Sequence, residues 1–143
     1  MPAPFGFSIG DFIAVATLIK DIASALQESG GARDDYQELE RELELLELAL
    51  SAVKSLTGPP QRQSEIMAIK LVALSCRHSL DVFYANIKKY NQNLSVTSRV
   101  SRMRASGKML QWGLLMQSDI AKLRSYITTH VGNMNTLISA EIL

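Results

Sequence analysis

Cys76 and His78 are the residues best suited to nucleophilic chemistry in this chain, and their spacing works against it. Two positions apart on a helix, they point roughly 200° away from each other. Cys76 is therefore read as a packed core residue. His130 lies beside the apolar face of the last helix and is read as an edge histidine, with a pH switch as its alternative use. Glu40 and Glu44 have a helical spacing that could hold a metal, but carboxylate-bridged di-iron bundles need Glu-x-x-His on facing helices, and that pattern is missing. G-x-x-x-x-G-K-[ST], H-E-x-x-H, G-x-S-x-G and zinc-spaced cysteine pairs are also missing. The expectation is a non-enzyme with no catalytic residue, no cofactor and no metal.

The basic residues carry more information. Lys88, Lys89, Arg99, Arg102, Arg104 and Lys108 follow one another with no acid between Asp81 and Asp119. Near an anionic leaflet each is worth about 1 kcal/mol, which makes the six candidates for anionic-lipid contact. The same bases could instead lie beside an acidic helix or simply be solvated. Nucleic acid is not expected, because the net charge is only +1 and aromatic residues are not interleaved with the bases. Charge is also uneven along the chain: up to Leu56 ten acids face four bases, and beyond it eleven bases face four acids.

The N-terminus is the other candidate. Gly6, Gly10 and Ala14 form a ladder of small residues that in a membrane allows close helix approach. The longest uncharged apolar run, 12–19, is far short of the roughly 20 residues that span a bilayer. About ten apolar residues at roughly −0.3 to −0.6 kcal/mol are offset by Asp11, Lys20 and Asp21 at about +2.5 to +3.5 kcal/mol each. The expectation is a bundle helix first, and a membrane segment only after release or oligomerisation. No Lys or Arg precedes the apolar run, so a secretory signal is not expected. The single cysteine makes a reducing, cytoplasmic location the simpler reading, with membrane association on activation.

The elements that must position these residues are helical. Nearly half of the 143 residues are apolar and a fifth charged, which suits one globular domain over 1–143. Ser8 and Asp11 have capping-box spacing. Phe12, Val15, Ile19, Ile22 and Leu26 then step by three and four until Gly30-Gly31. Tyr36, Leu39, Leu43, Leu46, Leu50 and Val53 repeat the pattern above a row of glutamates, with Leu45, Leu48 and Leu56 widening the apolar face, and Gly58-Pro59-Pro60 ends it. Ser64 is the expected cap of a third stripe running from Ile66 to Tyr90. Residues 91–107 read as a loop, 108–116 as a short helix, and Ser118-Asp119 as the cap of the last. The expected helices are 9–28, 35–56, 64–90, 108–116 and 119–140. Together they make an all-α antiparallel bundle of four to five helices with heptad-spaced seams.

The opening PFGFSIGDFIAVATLIKDI, the acidic YQELERELELLELAL and the later MLQWGLLMQSDIAKLRSYITTHVGNMNTLI, with Trp112, Asp119 and Leu123-Arg124, resemble fungal HeLo-like domains. Those are N-terminal helical domains of STAND, NLR-like and ubiquitin-like-domain proteins. The resemblance covers almost the whole chain. It implies a non-enzymatic effector or signalling domain in fungal immunity or programmed cell death, which oligomerises and permeabilises membranes through its N-terminal helix. It implies as partners a second copy, another helical signalling domain or an anionic membrane. Carried onto this chain, the membrane and oligomerisation candidates are Phe5, Phe7, Phe12, Ile13, Leu18 and Ile19, beside Gly6 and Gly10. The competing expectation is a helical homo-oligomerisation or partner-docking scaffold without membrane activity.

Overall fold

A computed structural model describes the backbone of residues 9–28, 34–100 and 102–142, and the side chains of 9–28, 34–92 and 114–140. The described residues form α1 (Ile9–Glu28), α2 (Asp34–Lys54), α3 (Gln63–Leu74), α4 (Arg77–Val100) and α5 (Arg102–Ile142), with one 3-10 turn at Pro60–Arg62. No strand occurs among them, so the protein is all-α, as the stripes predict. Phe5, Gly6, Phe7, Ser8 and Gly30-Gly31 lie outside the described residues.

α1 and α2 form one antiparallel hairpin: Gln27 Nε2 donates to Glu40 Oε1 at 2.7 Å across it. α4 and α5 form a second, in which Asn86 Nδ2 reaches Asp119 Oδ2 at 3.4 Å. The hairpins lie side by side, α1 against α4 and α2 against α5, and α3 crosses between them, touching α1, α2 and α5. Asn91 Nδ2 donates to the Ala25 carbonyl at 3.0 Å, tying α4 to the last turns of α1. Arg124 on α5 meets Glu42 at 3.1 Å and Glu38 at 3.5 Å on α2. One core runs along the shared axis, with Val15, Ile22, Leu26, Leu39, Leu46, Leu80 and Ile87 wholly inaccessible to solvent.

Several expectations are corrected. The single helix over 64–90 is two, because the chain turns at Ser75 and Cys76. There Ser75 Oγ bonds the Val72 carbonyl at 2.6 Å, and such a back-bond competes with the helical ladder. The apolar stripe survives, since Cys76 and Leu80 both stay buried. Ser64 is not the cap of α3. The helix begins one residue earlier, on the proline-led 3-10 turn, and Gln63 Nε2 bonds the Gly58 carbonyl at 2.8 Å. Residues 91–107 are helical except at 101, which is not described. Serine, threonine and asparagine weaken a helix, but only proline forbids one, and none occurs there. The expected helices 108–116 and 119–140 are continuous within α5. Asp119 does not interrupt the helix; its carboxylate turns to Asn86 instead.

Leu45 and Leu48 do not widen the core face. They are 56% and 67% exposed, while Leu56 packs half-buried against the core. Replacing a core leucine leaves a cavity that the neighbours fill only partly. Leu43→Ala should lower the free energy of unfolding by about 2–5 kcal/mol, whereas Leu48→Ala should change it by no more than about 0.5 kcal/mol. Urea denaturation of the two variants checks the assignment.

Candidate functional site

α1 divides the N-terminal candidates by helical phase. Phe12, Leu18 and Ile19 face inward and are 6%, 8% and 3% exposed. Ile13 faces out at 55%, and Gly10 is exposed beside it. Ile9, four residues before Ile13 and hence on the same side, is exposed as well. Sequence reasoning missed Ile9 because it stands at the cap rather than in the stripe. An exposed pair thus sits at the start of α1, and the deeper candidates hold the bundle together.

A groove of about 430 Å³ opens between α1 and α2. Phe12, Ala16, Leu48 and Leu50 contribute its apolar lining, with Glu44, Glu47 and Lys54 also around it. A second groove, of about 300 Å³, lies between α4 and α5. Val82, Phe83 and Leu123 line it together with His78, Asp119, Lys122 and Tyr126.

The basic candidates belong to the second hairpin. Lys88 lies over the Tyr84 ring, 5.1 Å from its centroid, and Lys89 is exposed. Arg99 stands near the end of α4, and Arg102, Arg104 and Lys108 in the first turns of α5. Their side chains lie outside the described residues. Asn91 is level with Ala25, three residues before the end of α1. The nine further residues of α4 therefore run on for about 13 Å at 1.5 Å each, well past the end of α1.

Charge follows the hairpins. The described residues of α1 and α2 hold ten acids and three bases, a net of −7. Those of α4 and α5 hold nine bases and three acids, a net of +6. The acidic and basic halves of the sequence have become two sides of one bundle.

Neither cysteine nor histidine chemistry is developed in the interior. Cys76 is buried, its Sγ donates to the Ala73 carbonyl at 3.3 Å, and burial pushes its thiol pKa up to about 11. His130 is not an edge residue but a core one, 6% exposed, in register with Ile127 and Met134. Its ring stacks on Tyr126 with centroids 5.6 Å apart. Nε2 lies 3.0 Å from the Ala73 carbonyl. A carbonyl only accepts, so Nε2 carries the proton. The reason is the break after α3, which leaves the carbonyls of its last turn short of helical donors, Val72 keeping a 3-10 bond from the Ser75 N–H. Ser75 Oγ takes Val72, and Cys76 and His130 share Ala73. Burial lowers the His130 pKa, outweighing the opposite pull of the carbonyl.

Among the described residues, no three His, Cys, Asp or Glu side chains come close enough to hold a metal ion. None of the described helices is long and apolar enough to cross a membrane. Comparison with known proteins gives no match, whether by family model, curated protein or solved structure.

Two measurements test this interior. Because the folded state holds the His130 pKa below its ordinary 6.5, the unfolded chain takes up a proton that the native chain refuses. The stability that neutral His130 supplies is complete above that pH and is lost as the pH falls below it. Between about pH 7 and pH 5, wild-type stability should fall more steeply than that of His130→Gln, measured by urea denaturation. Cys76 should also resist iodoacetamide in the folded protein and react readily once urea unfolds it, because the nucleophile is the thiolate.

Proposed function

We propose that this protein is a non-enzymatic effector or signalling domain of the HeLo-like kind, acting in fungal immunity or regulated cell death. It self-associates and engages anionic membranes, and its N-terminal helix is the element that perturbs them. The observation that carries this reading is the outer end of the α4–α5 hairpin. Arg99, Arg102, Arg104 and Lys108 belong to the part of these two antiparallel helices that outruns α1, and Lys88 and Lys89 stand just below it, Lys88 beside Asp21 and Glu28 of α1. The corresponding stretch contributes no acid. At about 1 kcal/mol per cation, the six bases supply at most about 6 kcal/mol toward an anionic leaflet, a dissociation constant no tighter than on the order of tens of micromolar. Such binding is electrostatic and weakens with salt.

The exposed Ile9 and Ile13 stand at the opposite end of α1 from the basic end of the second hairpin, and an apolar contact made there leaves the core intact. Phe12, Leu18 and Ile19 become available only if α1 leaves the bundle. A second reading, a docking scaffold without membrane action, is favoured by Leu45, Leu48, Leu114 and Leu115, which are exposed on α2 and α5.

Cosedimentation with phosphatidylcholine vesicles, with and without phosphatidylserine, separates the two. The protein should bind the anionic vesicles and not the neutral ones, release their trapped dye, and lose both effects in the triple variant Arg99→Glu, Arg102→Glu, Arg104→Glu. Equal, weak binding to both kinds of vesicle at low salt would leave only the scaffold.

A further inference from the structure

We propose that the outer face of α2 docks into the α4–α5 groove of a second copy of this chain, building a head-to-tail assembly. This identifies the surface for the self-association proposed above and rests on that reading. Three observations support it.

The first is shape. Leu48 and Leu45 are 67% and 56% exposed three residues apart on α2, and so project as neighbouring apolar knobs. The groove between α4 and α5 offers about 300 Å³ with Val82, Phe83 and Leu123 in its lining, and Val82 is itself half-exposed. A leucine side chain fits such a space, and filling it removes apolar surface of both copies from water.

The second is charge. Glu44, next to Leu45 and one turn before Leu48, is exposed on the hairpin whose net charge is −7. Lys122 is exposed at the groove, on the hairpin whose net charge is +6. Asp119, the carboxylate at the groove, accepts a hydrogen bond from Asn86. The internal bridge between the hairpins is made by Arg124, which is a different cation from Lys122. The attraction between copies is therefore local, Glu44 of one copy against Lys122 of the next, because Lys122 and Asp119 balance within the groove and the other bases of that hairpin lie mostly toward its outer end.

The third is placement. α1 packs on α4 and α2 on α5, so the two hairpins form opposite sides of the bundle. A contact from one side to the other uses different patches on the two partners. It leaves a free face at each end and continues to a ring or a filament. The outer face of α2, about 30 Å long and about 10 Å wide, offers on the order of 300 Å² per partner, well below the roughly 800 Å² of a standard interface. The contact should therefore be weak and salt-sensitive.

Sedimentation velocity across concentration at low and high salt is the test, on the wild type and on two surface variants, Leu48→Glu and Lys122→Glu. Circular dichroism and urea denaturation establish that both variants fold. The wild type should form progressively larger species that dissociate in high salt, and each variant alone should remain a monomer. Mixed together, the variants retain one intact knob face and one intact groove face between them, so they should form a 1:1 dimer and stop there. A wild type that stays monomeric, variants that assemble like the wild type, or a mixture that stays monomeric would each overturn the proposal. Vesicle binding by the same variants is a separate readout. If it persists while assembly is absent, this interface fails and the membrane reading stands; if assembly follows the scheme without vesicle binding, the membrane reading fails and the interface stands.

Discussion

The bundle depends on α1, whose apolar stripe is wanted by two hairpins at once. α2 and α4 pack on either side of it, and α3 touches it as it crosses. Val15, Ile22 and Leu26 have no exposed surface, and Ala25 gives its carbonyl to Asn91 of the other hairpin. The antiparallel pairing of α1 with α2 alone would leave half of this stripe in water. Closure of the second hairpin over it supplies the remaining burial. That is why five helices of such different length share one core, and why the polar ties across the hairpin boundary, at Asn91 and Arg124, are few and specific.

Charge segregation follows from this arrangement. Each hairpin is built from consecutive helices, so a sequence acidic in one half and basic in the other necessarily becomes a bundle acidic on one side and basic on the other. With a Debye length of about 8 Å at physiological ionic strength, charges that face away from the shared axis do little for one another across the molecule. Arg124 meets Glu42 and Glu38 at contact distance between the two hairpins. Exposed members of each set, Glu44, Lys89 and Lys122 among them, point to solvent and are disposed to act on something external. The outer end of the basic hairpin and its groove are separate parts of that surface, so a lipid leaflet and a second copy need not compete for the same cations.

How much of this was legible depended on which physical signal fixed each element. α1 and α2 were legible almost to the residue, because a seam stepping by three and four coincided with a strong breaker at Gly58-Pro59-Pro60. The break at Ser75 was not, since it arises from a serine hydroxyl bonding back to Val72, and the stripe runs through it undisturbed. Residues 91–107 read as a loop on composition, although no proline occurs there to stop a helix already formed. Leu45 and Leu48 were assigned to the core for being leucine, yet at about 100° per residue Leu48 stands roughly 160° from Leu46 and must face water when Leu46 faces the axis. The same arithmetic applies to His130: Ile120, Leu123, Ile127, His130 and Met134 step by three, four, three and four. The spacing admits either His130 or Val131 between Ile127 and Met134, residue type favours the valine, and the structure buries the histidine. Of the N-terminal candidates, phase separates Ile13 from Phe12, Leu18 and Ile19; type alone does not.

That separation decides what α1 can do at a membrane. Its six large buried side chains, Phe12, Val15, Leu18, Ile19, Ile22 and Leu26, are each worth about 1.5–3 kcal/mol of burial, or roughly 9–18 kcal/mol together. A domain of this size has a net stability of only about 5–15 kcal/mol. Withdrawing α1 is therefore equivalent to unfolding the bundle, and it cannot be driven by the roughly 6 kcal/mol that six cations gain at an anionic leaflet. The proposed surface attachment by the basic end would leave the fold intact, and Ile9 and Ile13, at the other end of α1, are exposed without any release. Insertion of the deeper residues requires that another apolar environment replace the core they leave, supplied by the bilayer and by α1 helices of neighbouring copies acting together. Head-to-tail assembly would supply that local concentration of α1, since every added copy brings its own N-terminal helix to the same stretch of membrane. On the proposed reading, attachment would therefore precede assembly, and assembly would precede release.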